Sequence, residues 1–309
     1  MRSSPPPRRV PEPRVVAIFG PTASGKTAVA GAVRARLGGV VVSADSAALY
    51  AGIPVLTAAP DYPARLVGVV PLDREVSVGQ YQRLAHAAID ETLAAGATPI
   101  VTGGTGLYFR AALSALELPP PPAPGERERW DALYGRVGPE AAHALLAERD
   151  ATAAARVHAN DRRRVVRALE LAEVGASLAP AEDRLWAEET RHPTLLVGLE
   201  LDADELDARI EARVHAMIEH GAVAEARAAW ARPLSDTARN VLGLEELATL
   251  PAADAAAAVT AATRRLARYQ RKWLRRLPVA ATLDAARRPE EIADEIVALA
   301  GAGERLPRR

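Results

Sequence analysis

The stretch "RVVAIFGPTASGKT" (residues 14–27) joins an apolar run to a glycine-rich octet. Residues 14–20 predict a buried parallel strand, because they are apolar and end in glycine. The octet "GPTASGKT" (20–27) fits the phosphate-loop pattern G-x-x-x-x-G-K-[ST] at every fixed position. The next residues, "AVAGAVRARLG", have helical character and a terminal glycine. This order of strand, loop and helix predicts an α/β fold that holds phosphate groups.

The chemistry of the octet follows from its residue types. Its glycines let the backbone turn so that several N–H groups face a phosphate at the N-terminus of the following helix. Lys26 adds a positive charge, and the Thr27 hydroxyl is suited to Mg²⁺ as the predicted metal ligand. The residues predicted to hold phosphate are Gly20, Thr22, Ala23, Ser24, Gly25, Lys26 and Thr27.

Further apolar runs at 39–46, 97–104, 194–202 and 279–285 predict four more strands that alternate with helices. Such alternation predicts a parallel sheet with helices on both faces. The proline-rich stretch 117–128 marks a break, and residues 126–175 contain helical patterns only. We therefore expect a disordered lead-in (1–13), a P-loop core (14–118 and 191–309) with a helical C-terminal part, and an all-helical insertion (119–190).

Composition and charge exclude several kinds of site and of protein. The 309 residues include 39 basic and 39 acidic ones, so bulk charge does not indicate nucleic acid. The charge is uneven, however, because "RRLARYQRKWLRR" (264–276) holds seven basic residues and no acid. The absence of cysteine excludes disulfides and thiolate metal sites. No stretch approaches the roughly 18 apolar residues of a membrane span, and the N-terminus lacks an apolar run, so we expect a cytoplasmic protein without a membrane partner.

Two polar residues follow predicted strands. Asp45 ends the second strand, and Thr105 follows the third. In an open parallel sheet the ligand binds at the carboxyl ends of the strands, so both are expected beside the phosphate loop. Each has an alternative interpretation as a helix cap. The guanine-reading motif N-K-x-D of GTPases is absent.

Six stretches, in this order, resemble the tRNA dimethylallyltransferase family. They are "GPTASGKT", "SADSAALY", "GGTGLYF", "ARVHANDRRRVVRALEL", "RIEARVHAMIEHGAVAEA" and "QRKWLR", and the resemblance runs from about residue 14 to residue 285. It implies that the loop holds the diphosphate of dimethylallyl diphosphate. It also implies transfer of the dimethylallyl group to N6 of the adenosine 3′-adjacent to the anticodon, with Mg²⁺ assisting the departure of diphosphate.

The resemblance also implies residue roles. Asp45 would accept the amine proton, while Thr105 and Arg213 would act at the diphosphate. On the pattern alone, Arg213 reads as an exposed helix arginine. A basic helix is ordinarily a solvated face, but seven basic residues without an acid in 264–276 argue against that interpretation. The residues matching family positions that contact the tRNA anticodon stem-loop are Asp45, Ser46, Ala47, Ala48, Arg163, Arg164, Arg167, Gly243, Arg268, Tyr269, Gln270, Trp273 and Arg275.

Four departures from the family pattern bear on this expectation. Ala59 and Leu244 replace a lysine and a tyrosine, Tyr269 replaces an arginine, and "YPARLVG" (62–68) stands where the family has a histidine-rich segment. We expect these changes to affect tRNA recognition more than prenyl transfer. Tyr269 would either stack on a base or pack as core.

Three alternative functions remain open at this point. The chain could prenylate a free adenine nucleotide, use the loop to bind ATP as a small-molecule kinase, or bind RNA without catalysis. The retained Lys26, Thr27, Asp45 and Thr105 argue against the last. We expect a monomer.

Overall fold

The computed structural model describes residues 13–179 and 184–301. Residues 1–12 of the predicted disordered lead-in lie outside the described residues. One parallel sheet has the strand order β3-β2-β4-β1-β5-β6, which confirms the predicted fold class. Its strands are β1 (Val15–Phe19), β2 (Val40–Ser43), β3 (Ala64–Arg65), β4 (Pro99–Gly103), β5 (Thr194–Glu200) and β6 (Ala281–Asp284).

The edge strand β3 was not predicted. It has only two residues, and it lies between Pro63 and Leu66, whose φ is +61°. A segment this short shows no alternation or apolar run that would identify it as a strand.

The helices between these strands are mostly where the sequence predicted them. No described helix is both long enough and apolar enough to cross a membrane. The helices are α1 (Lys26–Leu37), α2 (Pro54–Thr57), α3 (Val78–Ala94), α4 (Gly106–Leu113), α5 (Glu126–Val137), α6 (Pro139–Arg149), α7 (Ala151–Ala154), α8 (Arg162–Glu173), α9 (Ala203–Glu219), α10 (Ala222–Trp230), α11 (Asp236–Arg239), α12 (Leu244–Thr249), α13 (Ala252–Leu274) and α14 (Pro289–Gly301).

Helices cover both faces of the sheet. Val16 and Ile18 of β1 are buried in a cluster with side chains of α1, α9 and α14. Phe19 instead packs its ring edge-on against Phe109 of α4, with the ring centroids 5.1 Å apart. Successive residues of a strand point to opposite faces, so this alternation explains why β1 is apolar throughout. The carboxyl ends of the parallel strands lie at one edge of the sheet, where the loops that follow β1, β2 and β4 meet.

The chain divides into two compact units. One comprises Met1–Ala115 with Trp186–Arg309 and contains the sheet, and the other is Leu116–Leu185. The second unit has its own core, in which Trp130 of α5, Leu146 of α6 and Leu169 of α8 are buried together.

The sequence placed the limits of the insertion at residues 119 and 190, whereas the second unit ends at Leu185. The residues after this limit are held to the sheet unit by specific contacts. The Trp186 ring lies 4.6 Å from that of Trp273, and the Arg191 N–H donates to the Leu113 carbonyl at 2.8 Å. A composition shift in the sequence does not reveal such contacts.

Candidate active site

The phosphate loop connects β1 to α1. Gly25, immediately before α1, has φ of +82°, and the space around it is open. Glycine is therefore needed here for the left-handed backbone and not to avoid a clash. Ala23 also has a positive φ, +62°. This backbone path turns the loop around the N-terminus of α1, where unpaired N–H groups favour an anion.

Asp45 and Thr105 lie at neighbouring strand ends, as predicted. The Asp45 Oδ1 accepts from the Ala47 N–H at 3.0 Å, so this carboxylate caps a turn and not a helix. Thr105 occupies the position before α4, but its side chain makes no capping hydrogen bond. Its hydroxyl oxygen instead lies 3.4 Å from the Ser46 N–H, which donates to it. The segments following β2 and β4 are thus bonded to each other beside the phosphate loop.

Arg213 of α9 also reaches the loop. Its Nη1 donates to the Thr22 hydroxyl at 3.1 Å, so the interpretation of Arg213 as an exposed helix arginine is wrong. Burial lowers the pKa of the Arg213 guanidinium from its usual value, although the Asp45 charge opposes this shift. The fold brings α9 over the loop, and no local pattern in the sequence encodes that approach.

Lys26 is the second cation of the site. Its Nζ donates to the Pro21 carbonyl at 2.5 Å. Loss of hydration on burial lowers the pKa of Lys26 to about 7, while the Asp45 carboxylate raises this pKa and Arg213 lowers it further. Lys26 and Arg213 are thus two poorly hydrated cations that lie near the same carboxylate, that of Asp45. A bound polyanion would restore the stabilisation that Lys26 and Arg213 lose on burial.

A pocket opens beside these groups. Lys26, Thr27, Asp45 and Thr102 line it together with the segment from Thr57 to Pro60. The buried Thr102 hydroxyl has no hydrogen-bond partner among the described residues. A buried polar atom normally has a partner, so a polar ligand group in this pocket would complete the site. Thr102 was not predicted, because its only signal is one polar residue near the end of an apolar strand.

The oxygen donors of this pocket bear on whether it can bind Mg²⁺. Thr27 and Asp45 contribute a hydroxyl and a carboxylate to the same pocket. Among the described residues, no group of three or more His, Asp or Glu side chains could hold a metal ion alone. Mg²⁺ commonly binds through one or two protein oxygens, several waters and substrate phosphates. The residues present therefore fit an Mg²⁺ ion that is bound together with a diphosphate.

Two of the departures lie closer to this pocket than we expected. Ala59 lines it together with Lys26, so the missing lysine concerns the phosphate pocket itself. Tyr62, from the "YPARLVG" segment, donates its hydroxyl to the Thr27 carbonyl at 2.7 Å. Its ring occupies the space above Gly31 of α1, where an added Cβ would lie 2.7 Å from the ring. The sequence signalled Tyr62 only as a departure from the family pattern.

The predicted tRNA residues in the stretch 264–276 fall into an exposed and a buried group. Arg268, Tyr269 and Arg275 are exposed, whereas Gln270 and Trp273 are buried. Tyr269 is 53% exposed, so the interpretation of this residue as core is wrong. Five basic residues of the stretch are exposed and have no ion pair among the described residues: Arg265, Arg268, Lys272, Arg275 and Arg276.

The other two arginines of this stretch pair with acids. Arg264 pairs with Asp207 and Glu211, and Arg271 pairs with Glu200. The exposed basic residues of 264–276 thus form a strip of positive charge without ion pairs among the described residues, with Tyr269 within it, although the Arg276 guanidinium lies 3.6 Å from the Trp186 ring centroid. Such a strip is suited to a phosphate backbone.

Two further groups of predicted tRNA residues are largely enclosed. Ala48 is buried and lines the pocket, and Ser46 and Ala47 form the bonded turn after β2. Gly243 is buried with φ of +88° where it caps α12, and Leu244 is fully buried. Leucine in place of the family tyrosine is therefore a core residue here.

Three predicted tRNA residues belong to the second unit. Arg163 and Arg164 of α8 are exposed. Arg167 instead donates to the buried Glu170 carboxylate at 2.8 Å and to the carbonyls of Pro119 and Pro120. Its guanidinium is therefore engaged within its own unit.

A sequence model of the family described as IPP transferase matches residues 48–277. The chain belongs to this family. A tRNA dimethylallyltransferase of Salinispora arenicola is 40% identical over 285 residues, covering 88% of this chain and 82% of the relative. One of Anaeromyxobacter dehalogenans is 42% identical over 275 residues, covering 85% and 92%. The crystal structure of the tRNA isopentenylpyrophosphate transferase of Bacillus halodurans is 28% identical, with a TM-score of 0.67 over 94% of this chain and 98% of that one.

Proposed function

We propose that this protein transfers the dimethylallyl group of dimethylallyl diphosphate to N6 of the adenosine 3′-adjacent to the anticodon in tRNA, releasing diphosphate. The observation that carries the proposal is the meeting of Lys26, Asp45 and Thr105 at one edge of the sheet, in a chain of the IPP transferase family. Family membership supports this function over a kinase or a binding module that lacks catalysis. A cytoplasmic location and a monomeric state remain predictions.

The departure of diphosphate accounts for the cations. The bond between the allylic carbon and the diphosphate oxygen breaks, so negative charge grows on the leaving group. The loop N–H groups, Lys26 and Arg213 are placed to stabilise that charge. Because Arg213 and Lys26 are already poorly hydrated, they need little reorganisation when the charge develops. Mg²⁺, held by the Thr27 hydroxyl together with the diphosphate, would supply further neutralisation of the leaving group.

The amine of adenine is a weak nucleophile and must lose a proton when the new N6–carbon bond forms. Asp45 is the carboxylate at this edge of the pocket, and its Oδ1 is fixed by the Ala47 N–H. A fixed carboxylate within reach of the amine can act as general base. Thr105 holds the Ser46 backbone and thereby the turn that carries Asp45. By the resemblance to the family, we propose that its hydroxyl also contacts a phosphate oxygen.

The tRNA must present a base that has left its stack. Bases of single-stranded loops can be splayed out and bound by aromatic or guanidinium groups. The exposed Arg268 and Tyr269 of α13, and Arg275 just after it, provide such groups on the same unit as the pocket. We propose that this face contacts the anticodon stem-loop.

One assay tests the proposed function. The purified protein is incubated with Mg²⁺ and dimethylallyl diphosphate labelled in its allyl group, with tRNA, AMP or no acceptor. We expect label in tRNA only, located on the adenosine 3′-adjacent to the anticodon after nuclease digestion. Label in AMP would support a free-nucleotide prenyltransferase. In a parallel incubation with ATP, its consumption without prenyl transfer would support a kinase.

A further inference from the structure

The side chain of Gln270 contacts the phosphate loop directly. Its Oε1 accepts from the Thr22 N–H at 2.7 Å, although 248 residues separate them. Only 3% of Gln270 is exposed. This contact takes up a backbone donor of the phosphate loop, so the Thr22 N–H is not available to a bound phosphate. Thr22 is consequently held at two points, by Gln270 at its N–H and by Arg213 at its hydroxyl.

The same amide lies against the segment after β4. A Cβ added to Gly104 would come within 2.4 Å of the Gln270 Nε2 and 3.0 Å of the Gly20 carbonyl oxygen. Trp273, one turn further along α13, occupies the space beside Gly106 in the same way, 2.0 Å from an added Cβ. The two glycines therefore let α13 lie directly on the strand ends that carry the pocket.

We propose that Gln270 is a positioning residue for the phosphate loop and makes no contact with tRNA. The inference rests on the proposed function, because the loop it positions is the one that holds the diphosphate. By fixing the Thr22 N–H, Gln270 sets the backbone path on which the later N–H groups of the loop converge. The neighbouring Arg268 and Tyr269 face outward, so one helix supports the loop with one face and exposes positive charge with the other.

Replacing Gln270 by methionine tests this role, because methionine has a similar length but cannot accept the hydrogen bond. The probe is inorganic diphosphate with Mg²⁺, titrated by calorimetry in the absence of tRNA. Loss of the acceptor leaves a buried N–H unpaired, so we expect roughly tenfold weaker diphosphate binding. In turnover, KM for dimethylallyl diphosphate should rise, while the Kd for tRNA stays unchanged. Amide exchange at Thr22, followed by NMR, should accelerate.

Thr263→Val is the matched control. Thr263 lies two turns earlier on α13 and is buried, and within the described part of the chain its hydroxyl donates to the Val259 carbonyl of its own helix at 2.7 Å. This variant should bind diphosphate as the wild type does. If Gln270→Met fails to fold, Gln270→Asn can replace it. Asparagine is shorter by one methylene group, so its oxygen lies farther from the Thr22 N–H, and diphosphate binding should weaken in the same way.

The proposal is overturned if Gln270→Met binds diphosphate normally but loses affinity for tRNA, since Gln270 would then be an RNA contact. Equal weakening in Thr263→Val would also overturn it, because the effect would then come from α13 as a whole. If the protein does not prenylate tRNA at all, the diphosphate and amide-exchange measurements still test the role of Gln270 in the loop.

Discussion

Arg213 donates a hydrogen bond to the Thr22 hydroxyl at 3.1 Å across 191 residues of sequence. This contact joins a helix of the C-terminal part to the first loop of the sheet. It places a second cation beside Lys26, and we propose that the two together bind the diphosphate.

Arg213→Gln should lower kcat/KM for dimethylallyl diphosphate by roughly 10- to 100-fold, because a charged hydrogen bond to the loop and to the leaving group is lost. Steady-state kinetics at saturating tRNA measure it. Arg209→Gln is the control, since Arg209 lies one turn earlier on α9 and bonds Glu205 and the Ala285 carbonyl. Similar losses in both variants would mean that α9, and not the guanidinium of Arg213, is responsible.

Asp45→Asn should reduce kcat by about 10²- to 10⁴-fold, because an amide cannot accept the amine proton. The asparagine oxygen can still accept from the Ala47 N–H, so the turn should persist, and diphosphate and tRNA should still bind. Rapid-quench measurement of a single turnover isolates the chemical step. The exposed Asp61 offers a control, Asp61→Asn, which should be silent. A wild-type rate in Asp45→Asn would remove Asp45 from the mechanism.

The lowered pKa of Lys26 predicts proton uptake on binding. In the free protein this pKa is about 7, so above pH 7 the amine is largely neutral, and a bound diphosphate should return it to the charged form. Diphosphate affinity should therefore fall as pH rises above about 7. The unfolded chain, with its ordinary lysine pKa of 10.5, binds more protons between these two values, so the stability of the free protein should increase with pH there.

Calorimetry at pH 8 in two buffers of different ionisation enthalpy measures this proton uptake. Lys26→Arg serves as the reference, because arginine stays charged and the titration of diphosphate itself is common to both proteins. The wild type should take up more protons than the variant, by up to one per site. Equal uptake would show that Lys26 is already protonated in the free protein.

Tyr269 should contribute to tRNA binding by stacking on a base. It is 53% exposed, and its ring lies edge-on to Trp273 with centroids 6.4 Å apart. Tyr269→Ala should weaken tRNA binding by roughly 1–3 kcal/mol without changing Tm or the KM for dimethylallyl diphosphate. Tyr269→Phe, which keeps the ring, should be nearly silent in a filter-binding assay. Equal losses in both variants would assign the effect to the hydroxyl and contradict stacking.

Glu170→Gln should destabilise the second unit. The Glu170 side chain is fully buried between Arg127 at 3.0 Å and Arg167 at 2.8 Å. Without its charge, both guanidiniums lose their anionic partner, so we expect a loss of about 1–3 kcal/mol in urea unfolding followed by circular dichroism. The exposed Glu148 on α6 gives the control variant Glu148→Gln, which should unfold like the wild type. An unchanged midpoint for Glu170→Gln would refute a structural role for this cluster.

Some features follow from local sequence alone. The phosphate loop was predictable because its glycines, Lys26 and Thr27 act through spacing within eight residues. Strands β1, β2, β4 and β5 were predictable because burial on both faces requires continuous apolar runs. The edge strand β6 was also predicted, although only Leu283 of it is buried. The positions of Asp45 and Thr105 followed from these strands, since parallel strands end at the same edge. The two-residue β3 left no such signal.

Other features depended on which elements pack together. The stretch 264–276 is rich in basic residues, yet Gln270 faces the phosphate loop and Trp273 faces the segment after β4, while Tyr269 and Arg268 face outward. Nothing local distinguishes these positions, because the inward face of a helix is set by what covers it. Tertiary structure likewise brought Arg213 to Thr22 and engaged Arg167 with Glu170. The sequence alone determined which residues form the phosphate loop. The tertiary structure decided which distant side chains hold that loop in place. Such contacts arise only when helices far apart in the chain pack on the same edge of the sheet.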